Sequence, residues 1–165
     1  RIDSAHTELD SVLIAGVGTS STAFFLDNLG EKVIRGLRSS HVKAEYRYLG
    51  KSIEEAREEI KQVQLKNYKA VLLFLPKDSS IFDIRMKTST ASVPVSTTGK
   101  AYFNITTTNF IYQANFDIRL YTINEKKNLV WKAFIDVDSQ LTKTKIYSKI
   151  TKKIITSFKK NKYIK

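Results

Sequence analysis

Residues 11–17 hold Val12, Leu13, Ile14, Ala15 and Val17 in a run with no alternation. A strand covered on both faces reads this way. From 21 to 39 the pattern turns helical, with Phe24, Phe25, Leu29, Val33, Ile34 and Leu37 on one stripe. Ser20 or Ser21 is the predicted N-cap, because a hydroxyl there accepts from the free N–H groups of the first turn. Gly30 and Gly36 fall inside this helix, where each costs about 1 kcal/mol relative to Ala. Close packing of the helix on a sheet accounts for them. Residues 42–49 alternate and predict a more exposed second strand, ended by Gly50. Ser52 and Glu55 have capping-box spacing and open a polar helix, with Ile53, Ala56, Ile60, Val63 and Leu65 as its apolar stripe. Residues 68–75 give the second signal of a fully buried strand, closed by Pro76.

The order is therefore β-α-β-α-β, with crossovers long enough for parallel pairing. The first and third strands are the most apolar, which places them side by side and predicts the strand order 2-1-3. Residues 77–100 are rich in Ser and Thr without a sustained period and read as a long connection. Three strands in an antiparallel meander follow, over 100–108, 112–121 and 129–137, the last two joined by the polar link 124–128. Residues 142–160 are helical, with Ile146, Ile150, Ile154 and Phe158 spaced four apart. The predicted fold is α/β, a mixed sheet of about six strands with helices packed on it. It forms one domain over 1–165, with 1–10 as an extended lead-in.

Charge changes this picture at one end. The net charge is +12, yet residues 141–165 carry nine lysines and no acid, which leaves +3 for the first 140 residues. The basicity belongs to the last helix, not to the whole surface. With no cysteine, disulfides, thiolate metal sites and a Cys nucleophile are excluded. His6 and His41 are too few for a His-based catalytic or metal site. No run approaches the roughly 18 apolar residues of a membrane span.

The candidate chemistry is sparse. Gly18, Thr19, Ser20, Ser21 and Thr22 follow the first strand and open the first helix, a place where anions bind in α/β proteins. The Walker pattern lacks its Gly-Lys pair, and Ser21 stands where the dinucleotide fingerprint has its third glycine. A tight turn with a helix cap is the plainer reading. A flavodoxin-like loop binding a flavin or nucleotide phosphate is the alternative. Asp83, Asp117, Asp136 and Asp138 are the other acids considered; Asp117 and Asp136 fall on the outward face of alternating strands, and acids so placed read as solvated charges, not as an acid/base pair. No cofactor, metal or catalytic set is expected. Lys143, Lys145, Lys149, Lys152, Lys153, Lys159 and Lys160 are the candidate interaction surface. They read as a solvated face, as a contact for anionic lipid, or, ranked last for want of an aromatic platform, as a nucleic-acid contact. Asn104-Ile105-Thr106 matches a glycosylation sequon and is given no weight.

Three local features carry a resemblance. They are the apolar strand at Val12 leading through Ser and Thr to a long helix, the core strand at 68–75, and the segment 120–131, in which a strand ends in a short polar turn and restarts at Val130-Trp131. Together they make the chain similar to the bacterial envelope proteins that include the TolB N-terminal domain, CsgG and the lipoprotein LpoB, over residues 11–160. The chain departs from that pattern where Gly16-Val17-Gly18 replaces the usual Pro-Phe end of the first strand. The resemblance implies a non-catalytic binding or scaffold protein of the periplasm, with an envelope protein as partner. It also implies export and a lipid tether upstream of Arg1.

Overall fold

The structure is a computed structural model, and it describes residues 8–77, 83–94, 102–123, 128–139 and 143–165. The elements are β1 (Ser11–Gly16), α1 (Ser20–Arg38), β2 (Lys43–Tyr48), α2 (Ile53–Gln62), β3 (Ala70–Pro76), β4 (Asp83–Pro94), β5 (Tyr102–Thr122), β6 (Leu129–Ser139) and α3 (Lys143–Lys160), with a short 3-10 turn before β3. Lead-in residues 1–7 and the link residues 124–127 lie outside the described residues.

The strand order 2-1-3 stands. β1 pairs in parallel with both β2 and β3, and its residues Val12 to Ala15 are at most 1% exposed because each face is covered. On one face, α1 and α3 pack over Val12, Ile14, Leu72, Phe116, Ile118 and Leu120. On the other, α2 and the turn after it cover Leu13, Ala15, Val17 and Val71.

α1 meets the sheet through Phe25, Leu26, Leu29, Val33 and Leu37. Phe24, placed on the apolar stripe from the sequence, is 58% exposed, whereas Leu26 is buried. At 100° per residue, Phe24 falls a quarter-turn outside Phe25 and away from the core, while Leu26 falls into it. The two helix glycines mark close contacts. A Cβ on Gly30 would lie 2.5 Å from the Tyr46 ring of β2, and one on Gly36 would lie 2.9 Å from Ile155 of α3. The first is the expected contact with the sheet. The second seats α3 against α1.

Two expectations are corrected. Part of the supposed connection 77–100 is β4, a strand of 12 residues. The first two strands of the meander are one continuous β5 of 21 residues with no turn near residue 109. β3 pairs with 116–122 of β5, and β4 pairs with 102–113. Between them, Lys77 N–H donates to the Asn115 carbonyl at 3.0 Å. β6 also pairs with 112–121 of β5. It must therefore lie on the opposite edge from β3 and β4. The outcome is a two-stranded ribbon in which residues 102–111 of β5 have β4 as their strand partner among the described pairings.

Candidate functional site

The turn at Gly18 is tied into the sheet. Gly18 sits at φ +151, where only glycine is unstrained, and a Cβ there would lie 2.5 Å from Thr22 Cγ2. Its N–H donates to the Gly50 carbonyl at 3.0 Å, and the Val17 N–H donates to the Phe74 carbonyl at 3.1 Å. The Tyr48 hydroxyl donates to the Gly18 carbonyl. Thr19 and Thr22 bring their hydroxyl oxygens to 3.2 Å, and Thr22 is buried. The N-cap is Thr19, one residue before the expected serines, and its side chain makes no capping bond. Ser20 is exposed, and the Ser21 side chain lies outside the described residues.

The surroundings of this turn are acidic. Tyr48 and Gly50 line a groove completed by Glu54, Glu55, Glu58, Glu59 and Arg57 of α2. Four carboxylates beside one guanidinium repel a phosphate and do not cradle it. Burial, then the charges of Glu55 and Asp27, raise the Tyr48 phenol above its ordinary value. That keeps it a donor to Gly18.

The candidate acids do not converge. Asp117 lies on the sheet face opposite the α1 layer, with Arg119 at 3.0 Å and Lys132 at 3.6 Å. Its bond from Arg119, and then the Lys132 charge, hold the carboxyl below its usual range. Asp136 is exposed, and the side chains of Asp83 and Asp138 lie outside the described residues. His6 is likewise outside them. His41 takes φ 60 at the end of α1. There its N–H reaches the Arg38 carbonyl while Val42 N–H reaches Leu37, the bond pair of a Schellman cap. No group of three or more potential metal ligands occurs among the described residues.

α3 is the element with an organised charged face. Lys145, Lys149, Lys152, Lys153, Lys159 and Lys160 are all exposed. At 100° per residue they fall within an arc of about 120°, along roughly 22 Å of helix, opposite the row Ile146, Ile150, Ile154 and Phe158. Among the described residues none of the six makes an ion pair. Lys143 opens the helix, and its side chain lies outside the described residues.

The back of α3 is pinned by the Val130-Trp131 pair. The register between β5 and β6 slips after Leu120↔Trp131, so that Tyr121 pairs with Leu129 and Val130 is the extra residue of a bulge. Val130 offers its carbonyl to the Tyr163 hydroxyl at 2.7 Å. Trp131 donates its indole N–H to Ser157 Oγ at 2.9 Å and meets the Phe158 ring edge-on at 5.1 Å. Phe158 in turn meets Tyr163 at 5.9 Å. Past α3 the chain turns through Lys162 at φ 60, and the Tyr163 carbonyl accepts from Leu9 N–H at 2.8 Å. Sequence reasoning singled out Val130-Trp131 but missed Ser157 and Tyr163. Tyr163 and Ile164, apolar residues beyond a lysine-coated helix, are the signal that was available.

No family model and no curated protein matches the chain. Among solved structures it is similar to a PelC variant dodecamer from Paraburkholderia phytofirmans, at 13% identity and a TM-score of 0.47, over 88% of this chain and 86% of that one. A likeness of that strength leaves the functional reading to this chain's own residues.

Proposed function

We propose that the chain is a non-catalytic interaction module of the bacterial cell envelope, carried as a lipoprotein, whose contact surface is the lysine face of α3. The observation that carries the reading is six exposed lysines, without an ion pair among the described residues, on one arc of a helix whose opposite side is pinned to the sheet. Lysine presents a compact charge without the planar fork that reads phosphate geometry. A row of such charges suits a diffuse anionic surface. Near an anionic membrane each lysine contributes about 1 kcal/mol, so the stripe adds an electrostatic contact to the one a lipid tether would make.

Co-sedimentation with vesicles tests this. The chain is expected to bind vesicles containing phosphatidylglycerol, to release as salt rises, and to ignore pure phosphatidylcholine. The triple variant Lys149→Glu, Lys152→Glu, Lys153→Glu should lose binding while keeping its circular dichroism. Equal binding to both vesicle types, or an unaffected triple variant, would sink the reading. The envelope assignment predicts a signal peptide and lipidated cysteine in the precursor, which mass spectrometry of the membrane fraction reads directly.

A further inference from the structure

The end of the sheet at which β1, β2 and β3 begin has a basic rim. Ser11 of β1 is paired with Lys43 of β2, and its carbonyl accepts from Lys69 N–H, one residue before β3, at 3.0 Å. The two lysines thus flank the entry of β1, about 10 Å apart across three strands. α1 ends here at Arg38, whose guanidinium donates to the Ala44 carbonyl at 3.3 Å. α3 ends here as well: the Tyr163 carbonyl beyond it accepts from Leu9 N–H at 2.8 Å, which brings Lys162 and Lys165 to the same rim. Lys66 joins it from the turn Leu65–Asn67, since Asn67 lines one shallow cleft with Arg38, His41 and Lys43. All six cations are exposed. The acids beside them are Glu8, Asp10 and Glu45, and among the described residues the one ion pair any of the six makes is Lys165 with Glu8 at 3.0 Å. Lys159 and Lys160, the last lysines of the α3 stripe, adjoin the rim.

A helix C-terminus attracts cations to its own carbonyls, and that accounts for Arg38, Lys159 and Lys160. It does not account for Lys43 and Lys69 at the strand starts, or for Lys162 and Lys165 past the end of α3. We propose that this rim is laid on an anionic lipid surface together with the C-terminal end of the stripe, a proposal that rests on the lipid reading of α3. Two observations select lipid. The cations stand on both sides of the sheet end, with α1 and α3 on one side and the turn before β3 on the other. A broad anionic surface meets them all, whereas a strand lying in a groove meets one side. The chain also enters the fold here. Residues 1–7 lead to Glu8 and Leu9 at the rim, and seven residues span at most about 25 Å. A lipid tether upstream of Arg1 therefore joins the fold at this end and not at the opposite one.

Vesicle binding by the whole chain tests the proposal. The triple variant Lys43→Gln, Lys66→Gln, Lys69→Gln leaves α3 untouched and should weaken binding to phosphatidylglycerol vesicles about a hundredfold. The control Lys51→Gln, Arg57→Gln, Lys77→Gln removes the same charge away from the rim and should change binding less than about threefold. The native chain has no cysteine, so an environment-sensitive dye can be placed on Asn67→Cys at the rim or on Lys51→Cys past the far end of β2. The dye at 67 should shift to the blue on the vesicles while the dye at 51 does not. That readout keeps every cation of the rim and decides even if the triple variant fails to fold. Absence of any phosphatidylglycerol-dependent binding by the wild type overturns the lipid reading of α3 and this proposal with it. Binding lost in Lys149→Glu, Lys152→Glu, Lys153→Glu but kept in the rim variant, or a dye shift at 51 and not at 67, overturns this proposal alone. Equal losses in the rim and control variants also overturn it, because net charge and not place then decides. So does a rim variant that loses retention by duplex DNA and keeps its vesicle binding, which assigns the rim to nucleic acid.

Discussion

Trp131 is the residue on which the presentation of α3 depends most directly. Its indole N–H bonds Ser157 at 2.9 Å, and its ring meets Phe158 edge-on. Trp131→Phe keeps an aromatic edge and removes one part-buried hydrogen bond, which costs about 1 kcal/mol. Ser157→Ala leaves the indole N–H without that acceptor and costs about 1–2 kcal/mol. The two losses describe one bond, so the double variant should be little worse than the more damaging single, with a coupling of about 1 kcal/mol. Trp131→Ala also removes the ring. It should cost about 2–4 kcal/mol, below the full Trp→Ala range because Trp131 is only half-buried. Urea unfolding followed by far-UV circular dichroism reads all four variants. At this chain length 1 kcal/mol corresponds to about 2–4 °C in Tm. Trp131 is the only tryptophan, so fluorescence of the wild type and of Ser157→Ala gives a second, local readout. Losses that add to within about 0.3 kcal/mol would refute the pinning of α3 through this bond.

Gly30→Ala sets helix propensity against packing. Propensity favours alanine by about 1 kcal/mol, but the new Cβ would lie 2.5 Å from the Tyr46 ring, so a lower Tm is expected and a higher one would contradict the contact. His41→Gly relieves a left-handed non-glycine residue and should stabilise by about 1 kcal/mol in the same urea assay. Asp117 has a folded pKa below its unfolded value. Its contribution is therefore complete above the unfolded value of about 3.9 and fades as pH falls through the lowered folded value. Because Arg119 and Lys132 are 34% and 53% exposed, that contribution is at most about 1 kcal/mol. Asp117→Asn should lose it at neutral pH and flatten the acid limb of a stability–pH curve measured between pH 2 and 6.

What the sequence announced and what it concealed divide along burial. β1 and β3 are legible because both faces are covered and apolar runs are the consequence. The α3 stripe is legible because one face meets a core. Ser52 accepts from Glu55 N–H at 3.2 Å, as its spacing predicts. β4 was missed because its residues, with Ser89, Thr90, Ser92 and Pro94 among them, show no sustained period and read as a connection. β5 was split in two because its apolar positions change parity, from Phe103 and Ile105 to Phe110, Tyr112 and Phe116. A break between strands looks the same. The lysine face was visible as composition. That one arc holds six of them depends only on helical geometry, but that Ser157, Phe158 and Tyr163 secure the opposite side depends on a bulge at Val130 that no local pattern encodes.

The same arrangement makes the lysine face costly to the free protein. Lys145 with Lys149, Lys149 with Lys152, and Lys149 with Lys153 are like-charge neighbours three or four apart, each destabilising a helix by about 0.2–0.5 kcal/mol. Together they cost about 1 kcal/mol, while Lys159 and Lys160 in the last turn recover part of it from the helix dipole. An isolated helix of this sequence would be weak. Here it is held by the Trp131 bond, the Phe158 ring contacts and the cap at Lys162, none of which uses the lysine face. An anionic surface on that face removes the repulsion without disturbing a single contact behind it. Binding and stability are then coupled in one direction: whatever neutralises the stripe also firms the helix, and salt should raise the stability of the free chain while weakening its hold on the surface.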